Sequence, residues 1–331
     1  MRALVTGGGG FVGRYIVEQS LARGDEVTAF ARGAYPELEK MGVRLVRGDL
    51  ADAAAVEAAC AGIDVVYHVA SKTGYWGSWE SYYHTNVVGT RNVIAACRTR
   101  GVPRLVYTST PSVVFGNHSI EGNDESLPYP DRYESFYPQT KAMAERAVRE
   151  ANGQDGLLTV ALRAHNIFGP RDRHLLPRVI ARARTGRLPI VGNGMNVVDL
   201  TYVEDAARAH LLAADALQPG SPAAGAVYFV SQDDPVNVWD FINSLLHELG
   251  IPRITKRVPL WAARAAGAVL EFAYRFLPLA GEPFITRFLA SEVAMSHYFD
   301  ISRAHHDLGY APQFTMEEAT QRTVTYFREA M

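Results

Sequence analysis

The amino-acid sequence predicts an α/β fold: a doubly wound parallel sheet followed by a smaller, mostly helical region. Three observations predict it. Strand-like and helix-like segments alternate through the first half. Four consecutive glycines, Gly7 to Gly10, stand between the first strand and the first helix. The alternation loosens after Phe168.

The elements follow in order. Residues 3–6 are a short apolar run that ends in glycines, and residues 11–23 have helical spacing and stop at Gly24. Residues 26–31 and 43–47 read as strands, 53–60 as a helix, and 64–69 as a nearly continuous apolar strand. Residues 85–99 predict a helix, 104–108 a strand, 137–151 a helix and 159–163 a strand. Apolar strands joined by helices argue for a parallel sheet buried on both faces. Residues 226–230 read as a strand that rejoins it. The expected division is a first domain of residues 1–167, joined by segments near 196–213 and 226–231, and a second region of residues 168–331.

Bulk composition narrows the function. The chain has 331 residues, 48% of them apolar, so it can bury a large core. Its net charge of -2 gives no general electrostatic case for nucleic acid or an anionic membrane. Only Cys60 and Cys97 are cysteines, and no leader-like segment opens the chain, so a cytoplasmic protein is expected. The scattered histidines show no ligand spacing, so no metal site is expected.

The glycine loop carries the first chemistry. Gly7, Gly9, Gly10 and Gly13 let the backbone turn tightly and approach a pyrophosphate. The N-terminus of the following helix, with Phe11 and Val12, presents free N–H groups and a positive dipole end. This is a Rossmann-type dinucleotide site. No Lys-Ser/Thr pair follows, which disfavours a nucleoside-triphosphate loop. The second strand ends without the acid that an NAD site usually places on the ribose. Arg32 stands there instead and suits a 2′-phosphate. NADP(H) is therefore the preferred cofactor, with NAD(H) left open. Asp49 is a candidate for the adenine amine, or else an ordinary helix cap.

The second piece is Tyr137 and Lys141, one helical turn apart on one face. An adjacent ammonium is expected to lower the phenol toward working pH and suit it to proton transfer. A hydroxyl should support it. Thr110, at the end of the 104–108 strand, is chosen, with Ser109 and Ser112 as alternatives.

These stretches resemble a family. Thr6-Gly7, Gly10 and Gly13, Asp49-Leu50, His68-Val69-Ala70, Asn86 to Thr90, Thr108-Ser109-Thr110 and Tyr137 with Lys141 look like the extended short-chain dehydrogenase/reductases. Residues 74–79, 125–129, 163–170 and 192–199 resemble the 3β-hydroxysteroid and sterol-carboxylate dehydrogenase group. Within it the chain is similar to the bacterial reductases of 2-alkyl-3-oxoalkanoates. The resemblance implies Tyr137, Lys141 and Thr110 as catalytic. It implies that Asn86 and His68-Val69-Ala70 shape the cofactor bed, with Leu50 also at the cofactor, and that the stretch from Arg163 to Gly169, with His165 and Ile167, passes beside the nicotinamide. A homodimer is implied too. Ala164 departs from the family, which commonly has Pro there.

The expected reaction is reduction of a ketone, or oxidation of a secondary alcohol, on a lipid-like substrate. The aromatic cluster Tyr75, Trp76, Trp79, Tyr82 and Tyr83, and the apolar segment 258–279, are read first as core packing. The alternative is a lid over a greasy substrate, with peripheral contact to a membrane. Arg163, Arg171, Arg173 and His174 are candidates to meet a substrate carboxylate, while His68 is read as a packed structural residue. Rival readings are a nucleotide-sugar epimerase and a non-catalytic NADP sensor.

Overall fold

The computed structural model describes residues 1–330. Its centre is a parallel sheet of seven strands: β1 (Arg2–Thr6), β2 (Glu26–Ala31), β3 (Arg44–Arg47), β4 (Val65–His68), β5 (Arg104–Thr108), β6 (Leu158–Ala164) and β7 (Val227–Val230). In space they run β7-β6-β5-β4-β1-β2-β3. The chain builds outward from β1 to β3, then crosses back to start again at β4. The turning point lies between β1 and β4, where Thr6 pairs with His68. A crevice opens at the carboxyl ends of strands at such a point.

Alternation of side chains explains why both faces are covered. Ala3 and Val5 of β1 face one apolar cluster with Ile16, Val17, Ala207 and Leu211. Leu4 between them faces a second, with Val56, Val93, Ile94 and Cys97. Helices α1 (Phe11–Ala22) and Val203–Ala216 therefore pack on one face, and Ala53–Ala59 and α2 (Gly89–Arg100) on the other.

Helix α3 (Phe136–Glu150) positions the Tyr137–Lys141 face. Ser135 caps it, its hydroxyl accepting from the Tyr137 N–H at 3.4 Å. Pro138 lies in the first turn, where its missing N–H loses no helical bond.

One stretch differs from the sequence expectation. The helix predicted from residue 85 begins at Trp79 and passes through a wide π turn, Tyr83–Val88, before α2. The region after Phe168 is mostly helical, with short strands between its helices. Its short strands include His297–Phe299, which pairs in parallel with Ile120–Asn123 and ties the end of the chain to the first half. Among the described residues no helix is long and apolar enough to cross a membrane.

Candidate active site

The crevice at the carboxyl ends of the strands has a volume of about 750 Å³, within the ordinary range for a cofactor and substrate. The glycine loop forms one end. Gly7 has φ +73°, a left-handed conformation that a side chain would strain. A Cβ on Gly13 would stand 2.2 Å from the Gly7 carbonyl oxygen, so α1 packs against the loop only because Gly13 has none. Gly10 caps α1 with no side-chain bond, which leaves the first-turn N–H groups free for an anion. These residues fit a dinucleotide pyrophosphate.

The other predicted residues gather along the same crevice. Phe11, Val12, Arg32, Asp49, Leu50, Val69, Ala70, Thr110, Tyr137, Lys141, His165 and Ile167 all line it, with Gly7, Gly9, Gly10 and Gly13. Arg32 is exposed, and its guanidinium lies 3.9 Å from the Asp49 carboxylate. Asp49 does not cap the next helix. Its Oδ1 accepts from the Ala51 N–H, and Asp52 is the cap.

Asn86 departs from the expectation. It is buried and does not line the crevice. Its amide is consumed by the N–H and carbonyl of Lys72, at 2.7 and 3.1 Å, and by Thr140 at 3.0 Å. It braces the crevice wall from behind. His165 reaches the wall, but its Nε2 is engaged with Nδ1 of His297 at 2.6 Å.

His68 is structural. Thr90 donates to the Asn86 carbonyl, so it accepts from His68 Nε2–H at 2.9 Å, which leaves Nδ1 to accept from Thr6 at 2.7 Å. Burial, then the nearby Lys141, lowers this imidazole to about 3.

Two of the four cations proposed for a substrate carboxylate are committed elsewhere. Arg163 is 1% exposed and forked onto Glu145, at 2.7 and 3.1 Å. Arg171 pairs with Glu18 at 2.8 Å and lies over the Tyr15 ring. Both side chains gain more from a fixed carboxylate than from an open crevice. Arg173 and His174 are exposed and line the crevice.

The strand-end hydroxyls have separate partners. Ser109 donates to Glu145 at 2.5 Å, Ser112 donates to Glu292 at 3.2 Å, and Thr110 donates to Ser112 at 3.2 Å beside the Tyr137 phenol. Lys141 donates to the Thr108 carbonyl at 2.5 Å and sits over the Tyr107 ring. The electrostatics correct one expectation. Burial holds the Tyr137 phenol above its ordinary value of 10 despite the Thr110 hydroxyl beside it, and the Glu292 carboxylate adds to the rise. The same burial lowers Lys141 to about 7, partly opposed by Glu145. The lysine does not carry the phenol downward, because both groups lose hydration together. Tyr137 is thus held in its protonated, donor form.

Sequence reasoning missed Glu145 and Glu292; Tyr75, read first as core packing, lines the crevice. Glu145 continues the Tyr137–Lys141 face by one more turn, which is a readable signal. Glu292 lies far along the chain, with no local pattern around it.

Comparison with known proteins gives three kinds of match. The model of the 3-beta hydroxysteroid dehydrogenase/isomerase family matches residues 4–260. A 2-alkyl-3-oxoalkanoate reductase of Stenotrophomonas maltophilia is 48% identical over 97% of this chain and 98% of its own. The human sterol-4-alpha-carboxylate 3-dehydrogenase, decarboxylating, is 36% identical over 99% of this chain and 88% of its own. Among solved structures, MoeE5 in complex with UDP-glucose and NAD is 27% identical, with a TM-score of 0.77 over 100% of this chain and 99% of that one.

The depressed lysine makes a stability prediction. Unfolded, Lys141 keeps its ordinary value of 10.5, against about 7 in the fold. Between those values the unfolded chain binds more protons, so stability rises with pH across that window. Below it the burial penalty is fully present. Lys141→Met should therefore raise the thermal midpoint at about pH 6, with the gain shrinking toward pH 10, while turnover is lost. Thermal unfolding of both proteins across pH checks this. A variant no more stable than its parent at the acid end would overturn the burial account.

Proposed function

The chain belongs to the 3-beta hydroxysteroid dehydrogenase/isomerase family, and from that premise we propose that it reduces the ketone of a lipid-like 3-oxo acid of the 2-alkyl-3-oxoalkanoate class, with NADPH as donor. It is an NAD(P)-dependent oxidoreductase of CH–OH and keto groups. One observation carries the finer reading: Thr110, Tyr137 and Lys141 line the same crevice as the glycine loop, in a chain 48% identical to a reductase of that name.

When bound, the dinucleotide supplies the hydride for the carbonyl carbon. The loop from Gly7 to Gly13 would hold its pyrophosphate, Arg32 its 2′-phosphate, Asp49 and Leu50 its adenine end, and Lys141 its nicotinamide ribose. Thr110 and Tyr137 hydrogen-bond the substrate carbonyl oxygen. Tyr137 gives up its phenolic proton as charge develops on that oxygen. Lys141, in its ammonium form, then stabilises the phenolate. Arg173 and His174 are left to receive the substrate carboxylate. Tyr75, which lines the crevice and is backed by the buried Phe288 ring at 5.8 Å between centroids, would flank the alkyl chains.

Substrate delivery follows from the second apolar segment. Helix α4 (Leu260–Phe276) buries only Ala263 and Gly267. Trp261, Val269, Phe272 and Phe276 are 75, 68, 67 and 66% exposed on one side of it. The core-packing expectation fails here. Tyr274, on the same helix, packs edge-on against Trp76 beside the crevice. We read the exposed stripe as a peripheral lipid contact for a greasy substrate.

Three experiments test these assignments. Tyr137→Phe should lower turnover of 2-alkyl-3-oxo acids by about 100-fold or more and leave NADPH binding intact. Nicotinamide absorbance with a panel of such acids, 3-ketosteroids and UDP-sugars measures it, and turnover of UDP-sugars alone would favour an epimerase. Arg32→Ala should raise the KM for NADPH about ten-fold, the scale of one charge-assisted bond, and leave that for NADH unchanged. Equal effects on both would remove the 2′-phosphate role. Replacing Trp261, Phe272 and Phe276 together by Ser should abolish co-flotation with lipid vesicles and slow long-chain substrates but spare a short soluble ketone.

A further inference from the structure

The crevice contains an acid that the reaction above does not use. Glu292 ends the short helix Arg287–Glu292 and lines the crevice close to Thr110 and Tyr137. Its Oε1 accepts from Ser112 Oγ at 3.2 Å. Ser112 Oγ in turn accepts from Thr110 Oγ1 at 3.2 Å. Thr110 stands beside the Tyr137 phenol on the crevice wall, close enough to lower its pKa against burial. Tyr75 lies beside the Glu292 carboxyl, which raises the Tyr75 pKa. Hydrogen-bonded oxygens therefore run from this carboxyl through Ser112 to Thr110, next to the proton-donating phenol.

We propose that Glu292 is a positioning residue for the proton: it recharges Tyr137 after each reduction through the hydroxyls of Ser112 and Thr110. The proposal rests on the reductase reading and deepens it. The balance is simple. Each reduction takes one proton from Tyr137 and leaves a phenolate. Thr110 passes its hydroxyl proton to the phenolate, Ser112 passes its own to Thr110, and the Glu292 carboxyl passes its own to Ser112. Three O–H bonds break and three form. Tyr137 loses its negative charge and Glu292 gains one, while Thr110 and Ser112 end as they began; Glu292 then takes a proton back from solvent in the crevice it lines. The observed bonds, Thr110 to Ser112 and Ser112 to Glu292, are the arrangement left once the proton has passed inward.

The surroundings suit a proton store. Burial raises Glu292 to about 7, with Tyr75 and Ser112 pulling the other way. At neutral pH it therefore exists in both forms. The groups that face it are Tyr75 from the loop after β4, Tyr137 from α3, and His297 from the strand beyond. His297 Nε2 donates to the Glu292 carbonyl at 2.7 Å, and its Nδ1 is bonded to His165. Burial lowers both imidazoles below their ordinary value, His297 further lowering His165. Arg264, on the packed helix α4, is turned to Glu134 and Ser291. Among the described residues no neighbouring cation holds Glu292 ionised.

The test compares the full-length protein with Glu292→Gln and Ser112→Ala, using NADPH and a ketone the parent reduces. In stopped-flow, the first turnover should stay within about two-fold of the parent, because Tyr137 begins protonated. Later turnovers should fall about ten-fold at pH 7, a modest share of what a proton-transfer group contributes. The parent's steady-state rate should drop as pH rises past 7, and both variants should show a shallower drop, the part that Lys141 sets. Glu292→Asp should restore part of the rate. If Glu292→Gln does not fold, Ser112→Ala cuts the row while leaving the acid in place. Unchanged steady-state rates and pH profiles would overturn the proposal. So would equal slowing of first and later turnovers, which marks a packing role only. A substrate-free check separates this failure from that of the reductase reading. Infrared difference spectra between pH 6 and 8 should show a carboxylic-acid band that Glu292→Gln lacks, and its absence from the parent would also overturn the proposal.

Discussion

A carboxylate buried beneath the catalytic helix holds the site in shape. Glu145 has no exposed surface, yet it accepts from Arg163, Ser109 and Tyr129. Burial alone would raise its pKa. The charge of Arg163 and the bonds it receives outweigh burial and keep it ionised. Those three donors lie on different parts of the fold: β6, the turn after β5, and the loop before α3. One side chain thus fixes α3 against the carboxyl edge of the sheet. Tyr137 and Lys141 occupy the same helical face two turns and one turn earlier, so their direction is set by this clamp. A buried pair of this kind adds little net stability compared with an apolar core, while losing one partner is costly. Its use here is geometric.

The clamp also shapes the charge of the site. Glu145 is the charge that favours the Lys141 ammonium against burial. Arg163 neutralises most of that carboxylate, so the lysine is left near its ionisation point. The phenol beside it keeps its proton. A donor acid and a half-ionised amine stand together because one desolvated environment acts on both, in opposite directions. The simple picture of a lysine pulling a tyrosine downward omits that shared burial.

Much of this was legible in the sequence, and for identifiable reasons. β2 and β5 begin and end where the apolar pattern says they do. The glycine loop was readable because Gly7 and Gly13 solve a local backbone problem. Tyr137 and Lys141 were readable because four residues is one helical turn. Information of longer range was hidden. Arg163 looked available for a substrate because nothing in its own strand names Glu145, eighteen residues earlier. Asn86 looked like part of the cofactor bed, yet the wide turn around it aims the amide at Lys72. The apolar face of α4 looked like core because periodicity shows that a stripe exists and does not say what covers it.

Glu292 is the extreme case of that limit. Its importance depends on a helix near residue 290 folding back over a hydroxyl turn near residue 110. His297–Phe299, paired with Ile120–Asn123, creates this approach, and the approach cannot be deduced from either segment alone. The first half of the chain builds a site able to hold a dinucleotide and to point a phenol. The second half brings an acid within hydrogen-bond reach of the hydroxyls beside that phenol. With cofactor and substrate filling the crevice that Tyr137 lines, the phenol is cut off from solvent, and proton donation there raises a supply problem. A row of hydroxyls ending at a carboxyl on the crevice wall resolves it without opening the core.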